Sequence, residues 1–143
     1  MKISTRGRYA LRMMIDLAEH YNGGFNTLND IAKRQNISKK YLEQIIPFLN
    51  RSNLLLTNRG NMGGYQLARS PIEITVEDIL VSAEGNLYPV SCMENNPNVC
   101  ERVGECLTLP IWEGLYDVIS QYLKNITLQD ILNNKKNELE YFI

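Results

Sequence analysis

Every cysteine of the chain lies in one stretch, SCMENNPNVCERVGECLTLPIW, as Cys92, Cys100 and Cys106. The spacing is C-x7-C-x5-C. Thiolates are soft ligands that suit zinc and iron–sulfur clusters. A [2Fe–2S] or [4Fe–4S] cluster usually takes four protein ligands. Three thiols leave such a site one ligand short, and a disulfide leaves one thiol over. The spacing matches neither the usual zinc pattern nor the ferredoxin patterns. On these residues alone three readings stay open: a metal or cluster site, two thiols that pair on oxidation, and unremarkable loop cysteines. The single histidine, His20, is far away in sequence. With no nucleophile–base pair and no phosphate loop, the chain is not expected to be an enzyme.

A second set of residues points to a polyanion. The net charge of the 143 residues is only −1, but it is unevenly spread. Residues 1–70 hold eleven Lys/Arg and four Asp/Glu, a charge of +7, and residues 71–143 hold four and twelve, a charge of −8. Such a split suggests nucleic acid for one half, although a dipolar surface without a ligand has the same charge count. No apolar run approaches the ~18 residues that a membrane helix needs. The basic start, MKISTRGRYALRMM, has no continuous apolar region. A cytoplasmic protein with no membrane partner is expected, in which stable disulfides are not the default.

The periodicity shows what positions these groups. Residues 5–21 place Ala10, Met14, Leu17, Ala18 and Tyr21 on one helical stripe, ended by Asn22-Gly23-Gly24. Thr27 caps a short second helix with Asp30 at its third position. After a turn at Asn36-Ile37, Ser38 caps a third helix whose Leu42, Ile45, Ile46 and Leu49 form a buried stripe. Pro47 inside it removes one backbone bond and favours a bend. Residues 54–58 and 64–68 read as a hairpin around a Gly-rich tip. Thr75 caps a fourth helix. Residues 86–107 have no period and read as a loop. A helix over 109–124 sets Ile111, Leu115, Val118 and Tyr122 on one face, with Trp112 and Ile119 beside it, and a last helix starts at Thr127.

Three helices followed by a hairpin give a mainly α chain with a β-hairpin wing, a winged helix-turn-helix. Its second helix places its N-terminal end in the major groove. Here that end is Ser38-Lys39-Lys40-Tyr41, followed by Gln44, which can pair bidentately with adenine. Arg59 is the one strong cation of the wing tip and suits a narrow minor groove. Lys2, Arg6 and Arg8 add charge for phosphates at the start of the first helix. Taken singly, Lys39, Lys40 and Arg59 read as solvated charges and Tyr41 as a half-buried flank. Their coincidence favours DNA over a winged helix used only for protein contacts.

The runs MKISTRGRYALRMMIDLA, ISKKYLEQIIPFL, NRGNMGGYQLARS, CLTLPIW and NITLQDIL resemble the IscR, NsrR and CymR (Rrf-type) family of bacterial transcription regulators. The resemblance covers essentially the whole chain. It implies a homodimer that binds a palindromic operator on double-stranded DNA, joined through a long C-terminal dimerisation helix at 109–124. The expected organisation is a DNA-binding domain over 1–85, a cysteine-bearing sensor loop over 86–107, and the dimerisation and C-terminal helices over 108–143. The resemblance maps Tyr41, Glu43 and Arg59 onto operator-reading positions. Glu43 would tune specificity by accepting from cytosine or repelling other bases.

Cluster-binding members carry three cysteines in this loop, so the resemblance implies an iron–sulfur cluster at Cys92, Cys100 and Cys106, with [2Fe–2S] the expected type. In IscR-like members a histidine three residues after the last cysteine completes the site; here that position is Leu109. In NsrR-like members an acidic residue near the N-terminus does so; here that position is Arg8. The fourth ligand is left to Glu94, Glu101, Glu105, the partner or an added thiol. The closing ELEYFI resembles the CymR branch, which lacks the cysteine triad and senses through a partner protein. The sequence therefore predicts a repressor modulated by a cluster or by cysteine redox state. Its alternatives are a cluster-free repressor controlled by a partner protein and, in another class, a redox or electron-transfer protein.

Overall fold

The structure is a computed structural model that describes residues 2–60, 63–95 and 104–142, with side chains up to residue 135. Helix α1 (Thr5–Glu19) starts at Ser4, whose hydroxyl accepts from the Gly7 amide. It buries Ala10, Met13, Met14, Leu17 and Ala18. The expected stripe stops one turn early. The chain tightens into a 3-10 turn over Tyr21–Gly23, and Tyr21 is exposed instead of buried. His20 Nδ1 lies 2.8 Å from the Asp16 carbonyl at this helix end, so the histidine serves the fold locally.

Helix α2 (Leu28–Gln35) is capped by Thr27 and closes on Asn36, which takes left-handed φ 53°. Asparagine tolerates that conformation better than most residues. Ile37 N donates to the Ala32 carbonyl at 3.1 Å, and two residues later helix α3 (Lys39–Arg51) begins. This tight turn sets α2 against α3. Leu42, Ile45, Ile46 and Leu49 of α3 are all buried, and the helix runs through Pro47, whose ring is on the exposed side.

Strands β1 (Leu55–Asn58) and β2 (Gly64–Leu67) pair antiparallel, with Leu55 opposite Leu67 and Asn58 opposite Gly64. A third chain segment joins them. Asn26 and Tyr65 exchange two backbone hydrogen bonds of 2.8 Å each. A Cβ at Gly64 would collide with the Asn26 carbonyl, so this close approach requires glycine.

Helix α4 (Val76–Glu84) has a full capping box: Thr75 accepts from Asp78 N, and Asp78 accepts from Thr75 N. It packs against α1 and α3. Helices α5 (Leu109–Lys124) and α6 (Leu128–Phe142) follow. Leu128 is fully buried in the main core, and Ile131 and Leu132 pack against it, so α6 returns to α1. Helix α5 packs on α4 through Tyr116 and Leu123, which join a smaller cluster around Val76, Leu80 and Leu87. Ser120 Oγ, also buried, donates to the Glu77 carboxylate.

Candidate nucleic-acid interface and cysteine segment

The start of α3 is presented by its cap. Ser38 Oγ accepts from Tyr41 N at 3.1 Å, which leaves its own proton for an outside acceptor. The cap removes one orphan amide, while the remaining amides and the helix dipole favour an anion at this end. Ser38, Lys39, Lys40, Glu43 and Gln44 are exposed. Their side chains sit off the buried stripe, as a 3.6-residue period requires.

Tyr41 is half-buried, and its ring meets Tyr9 of α1 edge to face, with centroids 5.2 Å apart and planes at 71°. It is therefore both a flank of the core and an edge of the exposed face. On the wing, Asn58 Oδ1 accepts from Gly60 N at 3.1 Å and shapes the turn that carries exposed Arg59. Asn61, at the tip, lies outside the described residues.

Lys2 and Arg6 are placed elsewhere. Arg6 Nε donates to the Ala83 carbonyl at 2.8 Å, and its guanidinium lies 4.4 Å from the centre of the Phe48 ring. Phe48 is seven residues beyond Tyr41, roughly 10 Å along the helix at 1.5 Å per residue. Arg6 thus holds α1 to the far end of α3. Lys2 lines a cavity with Leu80, Leu87, Ile119 and Leu123, between α4 and α5. Arg8 is exposed and donates to Thr5 Oγ1 at 3.0 Å.

The interface has a buried support that the sequence reading missed. Asp16 is 1% exposed, yet it is a carboxylate on the apolar side of α1. Arg34 of α2 grips it with Nη2 at 2.7 Å and Nε at 3.0 Å, and Gln35 Nε2 donates to it at 3.0 Å. The hydrogen bond to Asp16 is the chief reason the Arg34 guanidinium holds its proton more firmly than usual, against a smaller opposing effect of burial. One signal was available: an acid between Met13, Met14 and Leu17 sits where only a paired charge is tolerated.

Of the three cysteines, Cys92 lies in a 3-10 turn over Ser91–Glu94 and Cys106 lies just before α5; both are half-buried. Cys106 Sγ is 3.3 Å from Thr108 Oγ1. Cys100 and Glu101 lie outside the described residues. Among the described residues no three of His, Cys, Asp and Glu converge as metal ligands. A thiol is the donor type that a soft metal takes, and of the expected ligands the described residues supply Cys92, Cys106, Glu94 and Glu105. Leu109, the first residue of α5, brings an apolar side chain that cannot ligate.

Helix α5 leaves its predicted face open. Ile111, Val118 and Tyr122 are 60–67% exposed and Leu115 is 37% exposed, while the opposite side packs on α4. No described helix is long and apolar enough to cross a membrane.

A family model described as "Rrf2: Iron-dependent Transcriptional regulator" matches residues 3–134. The chain is 39% identical to the protein rrf2 of Nitratidesulfovibrio vulgaris over 134 residues, covering 94% of this chain and 89% of that protein. It is 37% identical to the HTH-type transcriptional regulator IscR of Pectobacterium carotovorum over 136 residues, 95% of this chain and 82% of that one. In structure it resembles CymR, the global cysteine regulator of B. subtilis, with a TM-score of 0.73, 36% identity, and coverage of 94% and 98%. It also resembles the IscR of T. potens, with a TM-score of 0.72, 35% identity, and coverage of 94% and 88%. These relatives are transcription regulators, not enzymes, and the chain belongs to the Rrf2 family of transcriptional regulators.

Proposed function

We propose that this chain is a cytoplasmic, homodimeric DNA-binding repressor whose affinity for a palindromic operator responds to the state of its cysteine segment. The observation that carries the DNA-binding part is the α3 start. A capped helix end presents Ser38, Lys39, Lys40 and Gln44 to solvent, and the hairpin whose first strand contacts α3 carries exposed Arg59. Lysines and the helix end take phosphates, while Gln44, Glu43 and Tyr41 read base edges. Lys2 and Arg6 are more distant positive charge and are given no base contact.

The open face of α5 supports the dimer. A row of exposed apolar residues along one helix marks a surface that another chain covers. In a two-fold dimer the separation of the two α3 starts follows the packing of α5. Residues 86–107 lead directly into α5, so a change in how Cys92, Cys100 and Cys106 are held shifts that spacing. An iron–sulfur cluster bound there would supply a centre that is gained, lost or reduced with cellular iron and oxidant. The cluster type follows only from the resemblance to IscR-like relatives, with [2Fe–2S] the expected form.

A second reading has its own support. The likeness to CymR and the presence of Leu109 favour a cluster-free repressor controlled by a partner protein. Anaerobic purification with iron and sulfide analysis and a visible spectrum separates the two. The cluster reading predicts a coloured protein with stoichiometric iron and sulfide, lost in Cys92→Ser. A colourless protein after attempted reconstitution contradicts it and favours the second reading. Operator binding is tested apart from this, with the apo-protein included.

A further inference from the structure

We propose that Asp16, Arg34 and Asn26 are positioning residues that hold the wing in register with the recognition helix. The inference rests on the DNA-binding reading above. The wing has only two short strands, and such a hairpin is marginal by itself. Buried Leu55 and Leu67 seat it on the core and Thr57 Oγ1 donates to Asn50 Oδ1 of α3 at 3.5 Å, while β2 is also tied by the pair of backbone bonds between Asn26 and Tyr65. Asn26 follows an exposed loop that contains Gly23 and Gly24, which offers little restraint.

Restraint comes from its side chain. Asn26 Oδ1 accepts from Arg34 Nη2 at 3.1 Å, and the same guanidinium is forked onto buried Asp16. A planar fork on a carboxylate fixes direction as well as distance. No buried side-chain nitrogen or oxygen is left without a partner among the described residues, and both Asp16 oxygens accept hydrogen bonds.

The other end of this network reaches α3. Gln35, bound to Asp16, accepts through its backbone carbonyl from Arg12, whose guanidinium lies 5.3 Å from the centre of the Tyr9 ring. Tyr9 in turn packs on Tyr41. A continuous set of directional contacts thus joins the base-reading end of α3 to β2. An ion pair with one buried partner is weak evidence for stability, because desolvation of Asp16 offsets the attraction. What this one contributes is geometry: it sets where Arg59 lies relative to Ser38 and Gln44.

The test uses a DNA duplex selected by the full wild-type chain from a random pool. Affinity is measured for wild type, Asn26→Ala, Arg59→Ala and the double variant, together with a non-specific duplex and the thermal midpoint. Asn26→Ala removes the acceptor of Arg34 and the Nδ2 bond to the Gly24 carbonyl at 3.3 Å on a half-buried residue, and leaves the backbone pairing with Tyr65 intact. We expect it to weaken specific binding about fivefold, with the midpoint and non-specific binding nearly unchanged. Arg59→Ala is expected to weaken wild type about tenfold but the Asn26→Ala background only about twofold, the non-additivity of coupled sites. Arg34→Lys, which keeps the charge and loses the fork, gives the same pattern. An equal Arg59→Ala ratio in both backgrounds overturns the proposal, because a merely structural Asn26 leaves that ratio unmoved. If wild type selects no duplex at all, the DNA-binding reading fails and this one with it.

Discussion

Helices α3 and α5 carry the same kind of apolar stripe and meet opposite fates. In α3, Leu42, Ile45 and Leu49 are fully buried and Ile46 is 7% exposed. In α5, the row from Ile111 to Tyr122 faces outward, and Ser120 is its one buried residue among those described. Periodicity reports that a face is apolar but not what covers it. The α3 stripe finds α1 and α4 within the same chain. The α5 stripe, whose reverse side packs on α4, stays exposed among the described residues. The first helix makes a core, and the second, on the proposed dimer, makes an interface.

The largest effect should come from breaking the interface side of that contrast. Val118→Glu places a charge in the exposed row. It should convert a dimer to a monomer in sedimentation and weaken operator binding on the order of a thousandfold, the loss expected when two linked contacts become one. A Val118→Glu chain that stays dimeric would move the interface elsewhere.

The core side gives the next effect. Leu49→Ala should lower unfolding stability by about 3 kcal/mol in denaturant titration, since it empties a fully buried site. Val118→Ala, measured in the monomer, should change it by less than about 0.5 kcal/mol. Similar losses for the two would erase the distinction between the helices. On the DNA side, Arg59→Ala should reduce operator affinity about tenfold and lower the salt-dependence slope by about one. The smallest effect is local: Thr75→Ala removes one half of the α4 capping box and should lower stability by about 1 kcal/mol, read as a reduced thermal midpoint.

Several elements of the fold were legible in the sequence. The caps at Thr27, Ser38 and Thr75 marked three helix starts correctly, because each hydroxyl precedes an apolar period and finds an amide to bind. The hairpin was legible from its glycines, and Gly64 proved to be required by the Asn26 carbonyl. The helix expected over 109–124 appears as α5, Leu109–Lys124.

What was not legible depends on distance in sequence. Tyr21 was placed on the α1 stripe by its spacing, but the Gly-Gly run acts earlier than the pattern stops. Asp16 and Arg34 are eighteen residues apart, and no local pattern pairs them. Arg6 reads as charge for a phosphate, and no local pattern shows that the fold brings Phe48 and the Ala83 carbonyl to it. Conversely, the exposure of the α5 row could not be read from its period, because a buried and an interface stripe look alike. The cysteine segment is legible as chemistry but not as geometry, with Cys100 outside the described residues.

Where the protein sits on DNA tests a dimeric repressor with α3 as its reading helix. Nuclease footprinting of the duplex selected by the wild-type chain measures this. The account predicts a protected palindrome whose half-sites are separated by about one helical turn or a multiple of it, with both halves lost together in Lys39→Ala/Lys40→Ala. Protection of a single unpaired half-site would contradict the dimer. Protection unchanged by the lysine substitutions would contradict the assignment of α3 as the reading helix.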